Sequence, residues 1–273
     1  MAEDIELTNL IKRLSGDHAS RCTTEEKDRF LSFVASAYPC HSAPMEEILS
    51  FPGKRCRNLV FGDPEKADRI YAAYYSGVRR CFFPFTEFRG KGIYNILQFL
   101  FYWSILLSMV LLMRGLLHYN LPVAFLIWII LCYMSSFAFP SNNRLSVSNL
   151  TVMYLIMKRE PSSCYVFLDN PGLINNGLQA FLKKHGKGAG NKTVLIDRMM
   201  FGGVLLAEGR TPPPLDMKFK KSSLSVSYRI SSGAAFGDSV FSSRYRDDCP
   251  LYPDPDFLKR VAEEIRSLGQ HIG

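Results

Sequence analysis

The chain has 273 residues, a formal net charge of +8 and 47% hydrophobic residues, which is ordinary for a globular protein of one or two domains. Its seven cysteines are scattered and odd in number, so the composition argues against a disulfide framework and favours a reduced compartment. An average composition does not exclude a membrane segment, because such a segment is a local run of uncharged apolar residues.

Residues 1–91 predict a helical N-terminal domain. Apolar residues at positions 5, 10, 11 and 14 make one face of a first helix, and Thr23 with Glu26 has capping-box spacing for a second. Asp63 followed by Pro64 indicates a third helix start, with apolar side chains recurring from position 70. Acidic and basic residues nearly balance here, which argues against a nucleic-acid ligand.

Residues 92–140 predict a transmembrane helical hairpin. Two runs without Asp, Glu, Lys or Arg cover positions 93–113 and 121–139, and a short polar link joins them. A helix needs about 20 residues to cross a hydrocarbon core of ~30 Å, so each run is long enough. A pair of buried helices in a soluble core is the alternative. Trp103 and Trp128 are expected to pack between the two helices.

Basic residues flank the two runs more than the tip between them. The positive-inside rule then places both termini in the cytosol or in the mitochondrial matrix. The predicted membrane-interface residues near the hairpin are Arg79, Arg80, Arg89, Lys91 and Arg144. The N-terminal sequence resembles neither a signal peptide nor a transit peptide, because acidic residues come first.

The hairpin is interpreted as an anchor, because intramembrane ionisable groups mark ion and proton pathways and neither run contains an Asp, Glu, Lys or Arg. Ser104 and Ser108 are four residues apart and would share one helix face. Small residues at that spacing permit close helix approach, so these two serines are candidates for helix packing. The alternative is that they are merely tolerated.

Residues 141–273 predict a β-rich C-terminal domain closed by a terminal helix. Alternating or apolar runs at 145–156, 164–168, 193–197, 204–207 and 224–230 are interpreted as strands, and a helix is expected over 177–185. Asp254 before Pro255 predicts the start of the last helix. The fold class is therefore an α+β membrane protein, with the hairpin between a helical segment and a small antiparallel sheet or half-barrel.

Lysines concentrate in this C-terminal portion. Lys183 and Lys184 are candidates for binding anionic lipid head groups, because the domain would lie beside a bilayer. Nucleic acid is not expected, since no recognised module accompanies the charge. Solvated lysines on loops are the alternative.

No motif supports catalysis or a cofactor. Residues 186–193 look like a phosphate-binding loop, but Asn191 precedes Lys192 where the motif needs Gly, and a strand is expected to follow. We therefore predict a flexible loop. Cys40, His41 and Cys56 form no metal-binding spacing, and no catalytic motif contains a histidine. The sequence predicts no cofactor, no metal and no enzyme activity.

Two local stretches resemble a known family. Residues 85–93 (FTEFRGKGI) enter the first run, and residues 214–222 (PLDMKFKKS) precede the run at 224–230. Together with the hairpin, they resemble the two-span mitochondrial inner-membrane assembly factors typified by transmembrane proteins 223, 70 and 186. The resemblance implies a non-enzymatic factor that helps a respiratory-chain or ATP-synthase subunit into its complex, with other membrane-protein subunits as partners. It carries over no functional residues.

Two functions follow as expectations. The first is an assembly factor or accessory subunit of a mitochondrial inner-membrane complex. The second is a hairpin protein of the endoplasmic reticulum or Golgi that shapes membrane or binds a partner as an adaptor. An enzyme or transporter would need a cluster of polar residues that the sequence does not show.

Overall fold

The computed structural model describes residues 2–21, 23–39, 42–51, 54–76, 86–89, 92–118, 120–136, 144–169, 176–197, 199, 203–215, 217–236, 239–243 and 253–272. The helices are α1 Ala2–Ser15, α2 Thr24–Ala37, α3 Gly92–Leu117, α4 Leu121–Ser136, α5 Arg144–Arg159, α6 Asn176–Asn191 and α7 Pro255–Gln270. The strands are β1 Pro44–Phe51, β2 Lys54–Phe61, β3 Ile70–Tyr74, β4 Thr86–Arg89, β5 Cys164–Leu168, β6 Thr193–Ile196, β7 Val204–Gly209, β8 Lys218–Lys221, β9 Tyr228–Phe236 and β10 Ser239–Ser243.

One mixed sheet organises the fold. Its main path runs β1-β2-β5-β3-β6-β9-β10-β4, and β7 branches from β9 and carries β8. The centre is parallel: β3 pairs with β5 and β6, and β6 pairs with the first residues of β9. The pairs β1 with β2, β2 with β5, and β9 with β10 are antiparallel.

Helices cover both faces of this sheet. Alternate β3 side chains point to opposite faces, so Tyr71 and Ala73 join a core with α1, α2, α5 and α7. Ile70 and Ala72 join a second core, which Phe181 and its neighbours on α6 complete. The architecture is a three-layer α/β arrangement, in which central strands are buried on both sides.

The predicted fold class is therefore wrong. The N-terminal segment is not wholly helical, because it supplies β1 to β4, and β3 lies at the centre of the sheet between β5 and β6. The predicted antiparallel sheet or half-barrel is a mixed sheet with a parallel centre. Strands that precede the apolar helices α3 and α4 in the sequence pair with strands that follow them.

Two local predictions fail for the same physical reason. The alternation over residues 145–156 predicts a strand, but these residues lie in α5, where residues 146–157 are all buried. Residues 70–78 carry helical spacing, yet β3 is a strand buried at every position. Where both faces of an element are buried, hydrophobic periodicity no longer distinguishes helix from strand.

The prediction of two membrane spans is also wrong. Among the described residues, one helix is long and apolar enough to cross a bilayer, namely α3 over residues 96–116. Helix α4 has 16 residues, about 24 Å at 1.5 Å per residue, and among the side chains that the structure describes its apolar stretch covers 121–131. The two-span topology, with both termini in the matrix or cytosol and the mitochondrial inner membrane favoured, is not supported.

Candidate functional site at the carboxyl edge

The parallel strands end together along one edge of the sheet, which we call the carboxyl edge. In open α/β sheets, ligands bind in the crevice outside this edge. Here Ser76 follows β3, Asp169 follows β5 and Asp197 follows β6, and all three are buried. The carboxyl edge is therefore the first candidate for a ligand-binding or catalytic site.

Asp169 is the centre of a buried polar cluster. Its side chain is 1% exposed, and it accepts from the Lys27 ammonium at 2.7 and 2.9 Å. The Ser76 hydroxyl donates to Oδ1 at 2.7 Å, and the Arg57 backbone N–H donates to Oδ2 at 3.2 Å. Four hydrogen bonds thus converge on one carboxylate, and its charge is matched by one ammonium.

The backbone around Asp169 is fixed equally closely. Its N–H donates to the Asn58 side chain at 3.0 Å, and the Asn58 amide nitrogen donates to the Gly177 carbonyl at 3.0 Å. A Cβ at position 177 would overlap the Asp169 carbonyl oxygen, so only glycine allows α6 to begin so close to β5. Asn58 therefore joins β2, β5 and α6 at the carboxyl edge.

Helix α2 brings Lys27 to this cluster. Thr23 and Glu26 form the predicted capping box, which fixes the first turn of α2. One turn on, the Phe30 ring stacks on Tyr75 at a centroid distance of 5.2 Å. Burial, with the nearby Asp169 carboxylate, raises the pKa of Tyr75, so its hydroxyl stays protonated and donates to the Arg57 carbonyl at 2.9 Å.

Both oxygens of the Asp169 carboxylate already accept two hydrogen bonds each, so neither is available to a ligand. A carboxylate that accepts from an ammonium, a hydroxyl and a backbone N–H is held as an ion pair, which joins α2 to the end of β5. Within the described ranges, no group of three or more His, Cys, Asp or Glu side chains is placed to hold a metal ion. Cys40 and His41 lie outside those ranges.

The second candidate is the apolar helix pair, α3 with α4, which we call the hairpin. The Trp128 indole stacks edge-to-face with Trp103 at 5.7 Å between centroids and donates to the Trp103 carbonyl at 3.4 Å, so the predicted contact of the two tryptophans is confirmed. Leu106, Val110 and Ala124 are buried. Most other large apolar side chains of the hairpin are exposed, including Leu112 at 67% and Leu116 at 71%.

Both ends of the hairpin join the globular part at the carboxyl edge. Strand β9 continues six residues beyond Ile230, its last pair with β6, which is about 20 Å at 3.3 Å per residue. The β10 strand pairs with this extension and β4 pairs with β10, so α3 follows directly from the extension. Helix α5 follows α4 and begins at the same edge, where Ser146 accepts from Arg21, whose guanidinium also donates to the Tyr75 carbonyl.

The predicted interface residues are only partly placed. Arg89 is the last residue of β4 and Arg144 the first of α5, so the backbones of both lie where the globular part meets the hairpin. Arg79, Arg80 and Lys91 lie outside the described residues.

The two predicted lysines lie elsewhere, on α6. The Lys184 ammonium bonds the buried Glu47 carboxylate at 2.6 Å, and His185 bonds it at 3.0 Å. That charge is compensated within the fold, whereas Lys183 is exposed. Lipid binding at these two lysines stays a prediction. The expected loop over 186–193 is instead the end of α6, kinked at Gly186, and the start of β6.

Ser104 and Ser108 are exposed on α3. Each hydroxyl donates to a carbonyl of its own helix, that of Leu100 at 2.8 Å and that of Ser104 at 2.9 Å. Among the hairpin side chains that the structure describes, the buried ones are Leu106, Val110 and Ala124 rather than the serines. Packing of the serines against another helix stays a prediction.

The sequence reading missed the Asp169 cluster. One signal was available, because an Asp that directly follows the buried apolar run 164–168 lies at the carboxyl end of a strand. The turn-forming residues Asn170, Pro171 and Gly172 that follow obscure this signal, because they make Asp169 look like part of a turn. Lys27 gave no signal, because it precedes its partner by 142 positions and lies on an otherwise ordinary amphipathic helix.

No protein-family model matches the chain, and no curated protein matches it. Among solved structures, a Zn-dependent exopeptidase from Parabacteroides distasonis superposes on 97% of this chain and 95% of its own, with 11% identity and a TM-score of 0.45. A TM-score below 0.5 does not establish a common fold, and nothing about activity follows from it.

Proposed function

We propose that this chain is a membrane-attached accessory or assembly protein, in which helix α3 enters the bilayer and holds the α/β part at its surface. The observation that carries the proposal is the exposure of α3. Over residues 96–116 only 11% of the most apolar stretch is buried, although its polar residues are few, namely Gln98, Ser104, Ser108 and Arg114.

The pattern of exposure distinguishes a membrane helix from a core helix. A helix at the surface of a soluble protein buries one apolar stripe and shows a polar face to water. On α3, exposed apolar side chains lie on every side of the helix, such as Ile96, Leu97, Phe99 and Ile105. Because these side chains are about half exposed, leaving each in water forgoes roughly half of the about 1.5–3 kcal/mol that full burial contributes, which hydrocarbon would supply on every side.

The dimensions agree with that environment. At 1.5 Å per residue, the 21 residues of 96–116 span about 31 Å, close to the ~30 Å hydrocarbon core. Arg114 stands in the last turn, where a long basic side chain can reach the head groups. We propose that α3 inserts, with the shorter α4 packed against it through Trp103 and Trp128.

The accessory role follows from what such an attachment does. A globular part that is fixed beside a bilayer by one helix, without charged groups in residues 93–113, is suited to contact other membrane-protein subunits. The role in a mitochondrial respiratory or ATP-synthase complex, and the alternative adaptor role in the endoplasmic reticulum or Golgi, both stay predictions. A gentle-detergent pull-down from fractionated membranes, read by mass spectrometry, separates them by the subunits recovered.

A charge placed at the middle of α3 tests the attachment. Ile105→Arg replaces a side chain near the centre of 96–116, where the insertion free energy rises by about 3–4 kcal/mol, or roughly 100- to 1000-fold in partition. The matched control is Ile48→Arg on β1, since Ile48 is 67% exposed on the globular part.

The readout is flotation of each variant with liposomes and its resistance to carbonate extraction. We expect the wild-type chain and Ile48→Arg to float, and Ile105→Arg to remain in the soluble or aggregated fraction. Equal flotation of both variants, or a wild-type chain that is monodisperse without detergent, would contradict membrane attachment. A detergent-free dimer that buries α3 would instead assign the exposed surface to a second copy.

A further inference from the structure

A second feature of the carboxyl edge is an open hollow of about 490 Å³ between the end of α1 and the outer face of α2. Polar and basic side chains line it over an aromatic floor. The lining residues are Arg13, His18, Asp28, Arg29, Ser32, Phe33 and Ser36.

The charges in the hollow are unbalanced. The one acidic group in the lining, Asp28, pairs with Arg57, whose guanidinium lies 2.6 Å from its carboxylate and bonds Glu46 at 2.6 Å as well. Arg13 and Arg29 form no salt bridge with any residue that the structure describes. Two guanidinium groups therefore face one carboxylate around this open surface, which also offers two serine hydroxyls.

The aromatic floor positions one of these cations. The Phe33 side chain is 5% exposed, His18 stacks on it at 4.5 Å between centroids, and the Arg13 guanidinium lies 4.3 Å from its ring centre. Such a cation–π contact orders a long side chain before any ligand arrives, so less entropy is lost when it binds. Planar guanidinium groups match phosphate oxygens in geometry.

The hollow lies at the same edge of the sheet as the hairpin. The last turn of α1 reaches the carboxyl edge, because Arg21 donates both to the Leu14 carbonyl at 3.2 Å and to the Tyr75 carbonyl at 2.7 Å. Lys27, in the first turn of α2, reaches the end of β5 at Asp169. A chain attached through its hairpin would present this edge to the head groups.

We propose that Arg13 and Arg29 bind a phosphate group in this hollow, and, resting on the proposed membrane attachment, that the phosphate belongs to an anionic lipid head group. Lipid phosphodiesters and free phosphate share this chemistry, so the tests below distinguish the two sources. The site differs from the predicted lysine cluster on α6, of which Lys184 is already paired.

His18 provides the readout. Burial lowers its pKa, and the neighbouring Arg21 and Arg13 lower it further, so the ring is neutral near pH 7. A phosphate held between Arg13 and Arg29 adds negative charge beside the ring and raises that pKa. Histidine-labelled protein contains five ring signals, of which the one lost in His18→Gln is assigned to His18.

The experiment titrates inorganic phosphate into the full-length chain in a neutral detergent at low salt. We expect saturable binding, a rise in the pKa of His18, and an affinity reduced roughly 10- to 100-fold in Arg13→Gln and in Arg29→Gln. The control Lys12→Gln removes the same charge from the neighbouring position on α1, which does not line the hollow, and should bind like wild type.

A second arm compares nanodiscs of phosphatidylcholine with and without phosphatidylglycerol. A rise in the pKa of His18 only with phosphatidylglycerol supports the lipid source, whereas a response to free phosphate alone overturns that source and keeps the phosphate site. No response to phosphate, or an equal loss in Lys12→Gln, overturns the site. Failure to enter nanodiscs while phosphate still binds would instead contradict membrane attachment.

Discussion

Removing the Lys27 ammonium leaves the Asp169 carboxylate buried without its counter-charge. The Asp169 side chain is 1% exposed and that of Lys27 12%, so water cannot replace the lost partner in full. Breaking such a buried pair costs about 3–5 kcal/mol. Ser76 and the Arg57 N–H still donate to the carboxylate, so we expect Lys27→Met to cost about 3 kcal/mol, or a ~100-fold lower ratio of folded to unfolded chain.

The double variant Lys27→Met with Asp169→Asn should recover most of that loss. The asparagine keeps an acceptor for Ser76 and carries no charge that needs a partner. We expect a coupling free energy of about 1–3 kcal/mol between the two positions. Lys66→Met is the matched control, because Lys66 is 87% exposed in its pair with Asp63 and should change stability by less than about 0.5 kcal/mol.

Pulse proteolysis across a urea series in detergent measures the unfolding of the α/β part. It is preferable to tryptophan fluorescence, because both tryptophans lie in the hairpin. The reasoning is refuted if Lys27→Met is no less stable than Lys66→Met, or if the double variant is as unstable as Lys27→Met. The first result would mean that water reaches Asp169, and the carboxyl edge would then hold an accessible carboxylate.

Two further predictions concern packing and pH. Gly177→Ala places a Cβ on the Asp169 carbonyl oxygen and should lower the free energy of unfolding by more than about 2 kcal/mol, whereas Gly188→Ala on the same helix meets nothing within 4 Å and should be neutral or slightly stabilising in the same proteolysis assay. Burial lowers the pKa of His18 below its unfolded value of about 6.5, so the unfolded chain binds more protons below that pH and stability falls as the pH drops through 6.5. His18→Gln should flatten this decline between pH 7 and pH 5, and an unchanged slope would contradict the assignment.

Local signals were sufficient where an element carries its own boundary. The Thr23 capping box, the Asp254 N-cap with Pro255, and the short apolar strand Cys164–Leu168 are all present as predicted. Each depends on residues within a few positions of one another. A local signal can also be wrong. Asp63 with Pro64 predicts a helix start, and the Asp63 carboxylate does accept from the Glu65 N–H, but only a turn follows.

The sheet order could not be predicted, because it depends on pairings between distant segments. Nothing in residues 70–74 indicates that β3 lies between β5 and β6, which follow only after the hairpin. Extended segments buried on both faces also lose the alternation that would identify them. The Asp169 cluster needed this order, since Lys27, Arg57 and Ser76 converge on it from three separate elements.

The position of the hairpin within the chain has a consequence for synthesis. Strand β3 leaves the ribosome before α3 and α4, and both of its sheet neighbours leave after them. The central strands therefore cannot pair until the hairpin has been synthesised. Until then the apolar side chains of β3 lack their sheet partners. Completion of the sheet is thereby ordered after the synthesis of α3 and α4 and, under the proposed membrane attachment, after the insertion of α3.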